Sequence, residues 1–394
     1  MNSRQRFLNA LRFQPVDHTP LYLRLWSTGG GPALPPSSEV DQIPFLWREQ
    51  VLRAEGLLAL GVDDTLLLQP PLGYTEEYNA NLSPGVRRAV VEQVEQQGAA
   101  VLVKRYQTPA GELTQAVKLS ADWPHGRDIP LFSDFSISRQ VQPLVKRLED
   151  VKCLPALLAR PTTSQMADFL AKARQVQTEA GRLGVALDGG WSALGDSAVW
   201  LCGMEGVLYG QTDQPALLEA LLDVLLEWEL QRAEQVLQQG VDCWVHMAWY
   251  EGVDFWSPKN FRRLLRPRLQ QLIDKAHAHG VPFRYIITKG WKPLRKDFLE
   301  MGIDCICGVD PLQDKVDLAE VKRELGGKIS LMGGMNAAVT LALGSEAEIR
   351  QAVDRAIAAL APGGGFVLFP VDNIFCELPW EKTEIVIDQW KKHW

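Results

Sequence analysis

The chain has 394 residues, 46% of them apolar and 23% charged, with a formal net charge of −7. That balance excludes disorder, because a large core can be buried, and it excludes nucleic acid as the main partner, because phosphate binding favours a basic surface. No run approaches the roughly 18 apolar residues that span a bilayer, so no membrane partner is expected.

The opening segment, MNSRQRFLNALRF, is too charged and its apolar part too short for a signal peptide, and it reads as an amphipathic helix. A cytoplasmic location is expected. Residues 20–26 (PLYLRLW) alternate as a strand that runs into a loop at Ser27, Thr28 and GGGP. A helix near 44–60 and a second strand over 64–69, stopped by Pro70 and Pro71, complete one strand–helix–strand unit. Between 87 and 119, three β-rich runs separated by Gln-Gln-Gly and Pro-Ala-Gly turns read as an antiparallel hairpin insertion. The proline-rich stretch 120–160 is irregular and is expected to wrap the barrel or cover its mouth.

From residue 163 the rhythm is regular. Helices are expected over 163–183, 197–208, 214–239, 257–279, 292–301, 317–325, 345–360 and 380–392. Strands fall between them at 185–190, 242–249, 283–289, 305–310, 329–335 and 365–371. Eight strands with crossover spacing predict an α/β fold of the (β/α)8 TIM-barrel type, a single domain over 1–394 with an N-terminal helical extension. A doubly wound open sheet is the competing fold, but GGGP lacks the spacing and the immediate helix of a dinucleotide-binding turn.

In such a barrel the strand ends meet at one mouth. The tips HMAWYE (246–251), TKGW (288–291), GVDP (308–311), GGMN (333–336) and PVDN (370–373) are therefore candidates for the site. Trp26, Trp191, Trp249 and Trp291 would wall an apolar pocket. Glu251 and Asp372 are the candidate catalytic carboxyl groups, since desolvation among indoles raises a carboxyl pKa toward neutrality. Arg24, His246, Lys289 and Asn336 join the tryptophans as candidate substrate-binding residues. His246 reads equally as a core histidine, and Asp310 before Pro311 as a loop hydrogen-bond acceptor. His277 and His279 sit at a helix end and carry no assigned chemistry. Cys305 and Cys307, like Cys153, Cys202, Cys243 and Cys376, read as reduced core thiols.

Three segments, NSRQRFLNALRFQPVDHTPLY, GMEGVLYGQTDQPALLEALLD and GIDCICGVDP with DLAEVKRELGGKISLMGGMN, resemble the uroporphyrinogen decarboxylase superfamily. The resemblance covers nearly the whole chain and its opening segment is closer to the corrinoid-dependent methyltransferase branch. It implies a (β/α)8 barrel with a deep mouth. Thiol-activating methyltransferases of this group hold zinc through a His-x-Cys pair and a later Cys, and the matching positions here are Ile286, Thr288 and Asp372. No bound zinc is therefore expected. Of the decarboxylases' arginine-rich loop only Arg24 has a counterpart, and Gln69-Pro70-Pro71 offers no aspartate at their second site.

The expected function is transfer of a methyl group between a small-molecule substrate and a corrinoid carried by a partner protein. Glu251 and Asp372 would handle a proton at the leaving heteroatom, and Lys289 or Arg24 would bind an anionic group. The alternatives are a cofactor-free decarboxylase acting on a tetrapyrrole or smaller carboxylate, and a non-catalytic protein that binds a ligand or a corrinoid.

Overall fold

The computed structural model describes residues 1–26, 50–71, 85–96, 98–375 and 378–394. Its strands in chain order are β1 (Leu25–Trp26), β2 (Thr65–Leu68), β3 (Arg88–Gln96), β4 (Ala99–Thr108), β5 (Gly111–Lys118), β6 (Gln140–Gln142) and β7 (Ala186–Ala193). They continue with β8 (Cys243–Met247), β9 (Phe283–Ile286), β10 (Cys305–Val309), β11 (Ser330–Asn336), β12 (Phe366–Val371) and β13 (Ile374–Phe375).

Seven strands form one parallel sheet in the order β12, β11, β10, β9, β8, β7, β2. The segment before β1 closes it. Leu21 bridges to Leu368 of β12 and Tyr22 to Asp63 just before β2, so one short stretch touches both edges. The Tyr22 N–H donates to Leu368 O (3.0 Å), Leu368 N–H to Pro20 O (2.9 Å) and Asp63 N–H to Leu21 O (3.0 Å). Further along, β1 pairs in parallel with β13. This closure is the TIM-barrel arrangement and it excludes the open doubly wound sheet.

Helices fill the connections, with Thr163–Leu183, Gly195–Asp213, Pro215–Leu237, Arg266–Ala278 and Glu346–Leu360 the longest. Of the helix expected near 44–60, the described part is Gln50–Ala59. The insertion is larger than a hairpin: β3, β4, β5 and β6 make a four-stranded antiparallel sheet, the last strand supplied by the stretch expected to be irregular. Cys153, Cys202, Cys243, Cys305 and Cys307 are free and buried, and Cys376 lies outside the described residues.

Strand alternation sorts the core into two layers. Cys243, Val245, Ile286, Cys305, Cys307 and Met332 pack with one another inside the barrel. Their neighbours Trp244, Phe283, Tyr285, Ile306 and Leu331 pack with the helices outside. The interior is plugged at one end by the helix Ser3–Leu11, whose Phe7, Leu8 and Leu11 join the inner cluster. That helix starts with a capping box: Asn2 Oδ1 accepts from the Gln5 N–H (2.9 Å) and Gln5 Oε1 from the Asn2 N–H (3.3 Å). Arg4 then clamps Asp242 through two bonds of 2.8 and 2.6 Å, and Arg6 reaches Asp63 at 2.6 Å. Asp242 and Asp63 precede β8 and β2, so the plugged end is the amino-terminal end of the strands. Phe7→Ala should cost about 3–5 kcal/mol, the usual loss for an aromatic ring removed from a core. Denaturant midpoints of the two proteins check this.

Candidate functional site

With the amino-terminal end filled, the carboxyl ends of the strands are where a ligand can enter. Register sets the first pair of groups there. Because Leu25 pairs with Ile374, the residues before them meet, and the Arg24 carbonyl accepts from the Ile374 N–H at 2.9 Å. The Arg24 Nη1 then donates to Asp372 Oδ1 at 3.1 Å across 348 residues of sequence. Arg24 is buried, whereas Asp372 keeps 29% of its side chain accessible.

Two indoles wall this pair. The Arg24 guanidinium lies 4.8 Å from the Trp191 ring and 5.5 Å from the Trp249 ring, within cation–π range. Trp191 is delivered by a bulge: Gly190 pairs with Val245 and Ser192 with His246, leaving Trp191 as the extra residue. Gly190 makes the bulge possible. Its φ is +113°, and a Cβ there would stand 2.6 Å from the Val245 carbonyl oxygen. The backbone of Trp26 pairs beside Phe375 at the same end.

Trp249 comes from the turn after β8. That turn is tied down by Asp196, at the start of the helix Gly195–Asp213, whose Oδ1 and Oδ2 accept the N–H groups of Trp249 and Tyr250, each at 3.2 Å. The Tyr250 hydroxyl in turn donates to Asp134 Oδ1 (3.2 Å), which also accepts from Trp200 Nε1 (2.8 Å). Asp134 opens a single-turn helix, Asp134–Ile137, in the stretch expected to cover the mouth. It was missed in the sequence because no periodicity marks it.

Enclosure raises the carboxyl groups of this cleft. For Asp372, burial is the largest cause; Arg24 opposes it, and the nearby Asp134 and Asp310 add to it. For Asp134, burial again raises the pKa, against the bonds from Trp200 and Tyr250. Asp134 is nevertheless exposed to solvent and Asp372 partly so, which describes groups in a concave cleft rather than sealed in a core.

The remaining candidates lie elsewhere. Since Val245 points into the barrel, His246 points out, and it stacks on Phe283 and Tyr285 in the helix-facing layer. Glu251 follows it there. Its Oε1 accepts from the Gly195 N–H (2.7 Å) and His246 Nε2–H (3.1 Å), and its Oε2 from the Tyr285 hydroxyl (2.5 Å). Trp244 Nε1–H donates to Ser192 Oγ (3.0 Å), and Ser192 Oγ lies at hydrogen-bond distance from His246 Nδ1 (2.7 Å). Ser192, His246 and Glu251 are in the order of a nucleophilic triad, but all three have no accessible surface and no substrate can reach them.

Lys289 was expected to bind an anionic group, but its side chain is 55% exposed and paired with Asp254 at 3.0 Å, outside the cleft. Trp291 is fully buried in the helix-facing core. Asn336 caps the π-turn Ala337–Leu341 through Val339 (2.6 Å) and donates to Asp310 Oδ2 (2.5 Å). Asp310 also accepts from the Leu312 and Gln313 N–H groups, so both of these residues hold loops. Ile286, which the resemblance places at one of the zinc-ligand positions, is a packed hydrocarbon in the barrel interior and cannot coordinate a metal. No group of three metal-ligating side chains is gathered among the described residues.

A closed barrel with one end plugged and an indole-walled ion pair at the other belongs to the class of barrel proteins that carry their sites at the strand carboxyl ends. Within that class, the chain is a member of the uroporphyrinogen decarboxylase (URO-D) family, whose model matches residues 140–393. Among curated proteins, the methylcobamide:CoM methyltransferase MtaA of Methanosarcina barkeri is 28% identical over 164 residues, 40% of this chain and 46% of that protein. The same protein from M. barkeri strain Fusaro is 26% identical over the same shares. The match thus spans about half the length of these relatives. The solved structure of a methyltransferase from Methanosarcina mazei aligns over 100% of this chain and 99% of its own, with a TM-score of 0.61 at 17% identity, a likeness of fold.

Proposed function

We propose that this chain transfers a methyl group between a small substrate and a corrinoid carried by a partner protein. The observation that carries the reading is the accessible Asp372 carboxyl beside Arg24 under Trp191 and Trp249, in a family member whose curated relatives act on methylcobamide. Methyl transfer from an oxygen or nitrogen breaks a bond to a poor leaving group, and the heteroatom must gain a proton as that bond breaks. Asp372, raised by burial, is the proton donor. Arg24 stays charged alongside it and compensates the carboxylate left behind. The corrinoid, when its carrier docks, supplies the methyl acceptor, and the flat indole faces fit a planar ligand.

The same groups bear on the kind of substrate. Lys289 is engaged outside the cleft and the buried Arg24 guanidinium already lies against Asp372 and two indole rings, so the reading favours a neutral methyl donor over an anionic one. Decarboxylation is the second reading, favoured by Arg24 as a cation that could orient a carboxylate and by the family model itself.

Incubating the protein with cob(I)alamin and neutral methyl donors, and following the cobalt spectrum, tests the proposal. Conversion to methylcobalamin is the expected result. Release of carbon dioxide from carboxylates with no change at cobalt would replace it with the second reading.

A further inference from the structure

One carboxyl group at the mouth takes no part in the proton step and still stands open to solvent. Asp134 is exposed, yet it is fixed in place by two neutral donors, Trp200 Nε1–H at 2.8 Å and the Tyr250 hydroxyl at 3.2 Å. Both bonds end on Oδ1. Among the described residues nothing donates to Oδ2. A side chain clamped at one oxygen and open at the other is positioned to offer an acceptor.

Contacts around the mouth tie this acceptor to the reacting groups. Tyr250, which donates to Asp134, is the chain neighbour of Trp249, whose ring lies 5.5 Å from the Arg24 guanidinium, and Arg24 binds Asp372 at 3.1 Å. Asp134 and Asp372 are thus the two ends of one arc of side chains, with an indole between them.

We infer that Asp134 sets the specificity of the cleft by accepting, through Oδ2, a hydrogen bond from a free hydroxyl of the methyl donor, so that the preferred donor is an aryl methyl ether carrying a phenolic hydroxyl. The inference rests on the methyl-transfer reading of the cleft and narrows its neutral donor to one class. Three features select that class. The rings of Trp191 and Trp249 offer faces on which a flat aromatic ring can lie. Asp372 serves the ether oxygen, which needs a proton as it departs from the methyl group. An ionised carboxylate only accepts, so Asp134 calls for a donor at another position of the ring. A second methoxy group there would leave Oδ2 desolvated without a partner, and a ring carboxylate would meet a like charge. No bond is made or broken at Asp134; it binds and orients.

Calorimetric titration of the full chain at about pH 8, where ordinary carboxylates are ionised and phenols neutral, compares methoxybenzene with its three isomeric phenols, the methoxyphenols. The wild type should bind at least one isomer about 10–100-fold more tightly than methoxybenzene, the span for a hydrogen bond to a charged group. Asp134→Asn keeps an acceptor for Trp200 and Tyr250 but turns an amide NH2 toward the cleft, and the preference should be lost. Tyr250→Phe separates direct contact from support of the turn. Trp200 still holds the carboxylate in that variant, so the preference should persist. A wild type without the preference, an Asp134→Asn variant that keeps it, or a Tyr250→Phe variant that loses it as completely would each overturn the proposal. Neither corrinoid nor turnover enters these titrations. Absence of methyl transfer with the preference intact would strike the reaction and leave the binding role of Asp134, whereas transfer from methoxybenzene and the phenols alike, unchanged by Asp134→Asn, would strike that role alone.

Discussion

Replacing Asp372 with asparagine should lower the turnover of methyl transfer by about 10²–10⁴-fold, the range for losing a positioned proton donor, with little change in KM. The amide keeps the size of the carboxyl and one acceptor for Arg24, so the cleft should persist while the donated proton is lost. The pH dependence carries a sign as well. Burial raises Asp372, and its neutral form is the donor, so the wild-type rate should fall as pH rises through that raised value. The variant's residual rate should lack this fall. Steady-state kinetics of the two proteins across pH check both points. A variant with full activity would remove Asp372 from the reaction.

Breaking the ion pair inside the barrel should cost about 3–5 kcal/mol of stability. The Arg284 guanidinium reaches Asp188 Oδ2, which also accepts from Thr65 Oγ1 at 2.7 Å, and both charged side chains are buried. Asp188→Ala would leave that guanidinium uncompensated near the Phe7 ring, 5.5 Å away. The pair is nevertheless incompletely satisfied: Arg284 Nε and Nη1 and Asp188 Oδ1 find no partner among the described residues. Replacing both residues together, as Asp188→Leu with Arg284→Met, should therefore recover most of the loss. Urea titrations of the wild type, the single variant and the double variant give the comparison. A single variant within about 1 kcal/mol of the wild type would contradict the assignment of this pair as a matched charge core.

The barrel was legible in the sequence because its strands are short apolar runs with sharp polar ends, and its helices carry long leucine stripes such as that of Pro215–Leu237. The convergence of distant tips followed from topology, and it brings Arg24, Asp372, Trp191 and Trp249 together. What the tips do not disclose is parity. One residue of register separates Val245, inside, from His246, outside, and that choice carries Glu251 to the helix layer with it. An arginine in the middle of an apolar strand was the clue available: Arg284 needs a buried counter-charge, and Asp188 supplies it from inside, which puts Tyr285 outside and the stacked His246 with it. Lys289 stood at a tip, yet a flexible stem and an exposed Asp254 take its charge away from the cleft. Asp134 lay in a stretch without period, where only tertiary packing onto Trp200 and Tyr250 places it. Trp191 is the opposite case. The paired glycines before it are a readable sign of a bulge, and the bulge is what turns its ring to the mouth.

A crystal structure of the protein with a neutral methyl donor bound tests the central claim most directly. The account predicts the donor between the rings of Trp191 and Trp249, its methyl-bearing heteroatom within hydrogen-bond distance of the Asp372 carboxyl. A donor bound anywhere that leaves Arg24 and Asp372 untouched would contradict it.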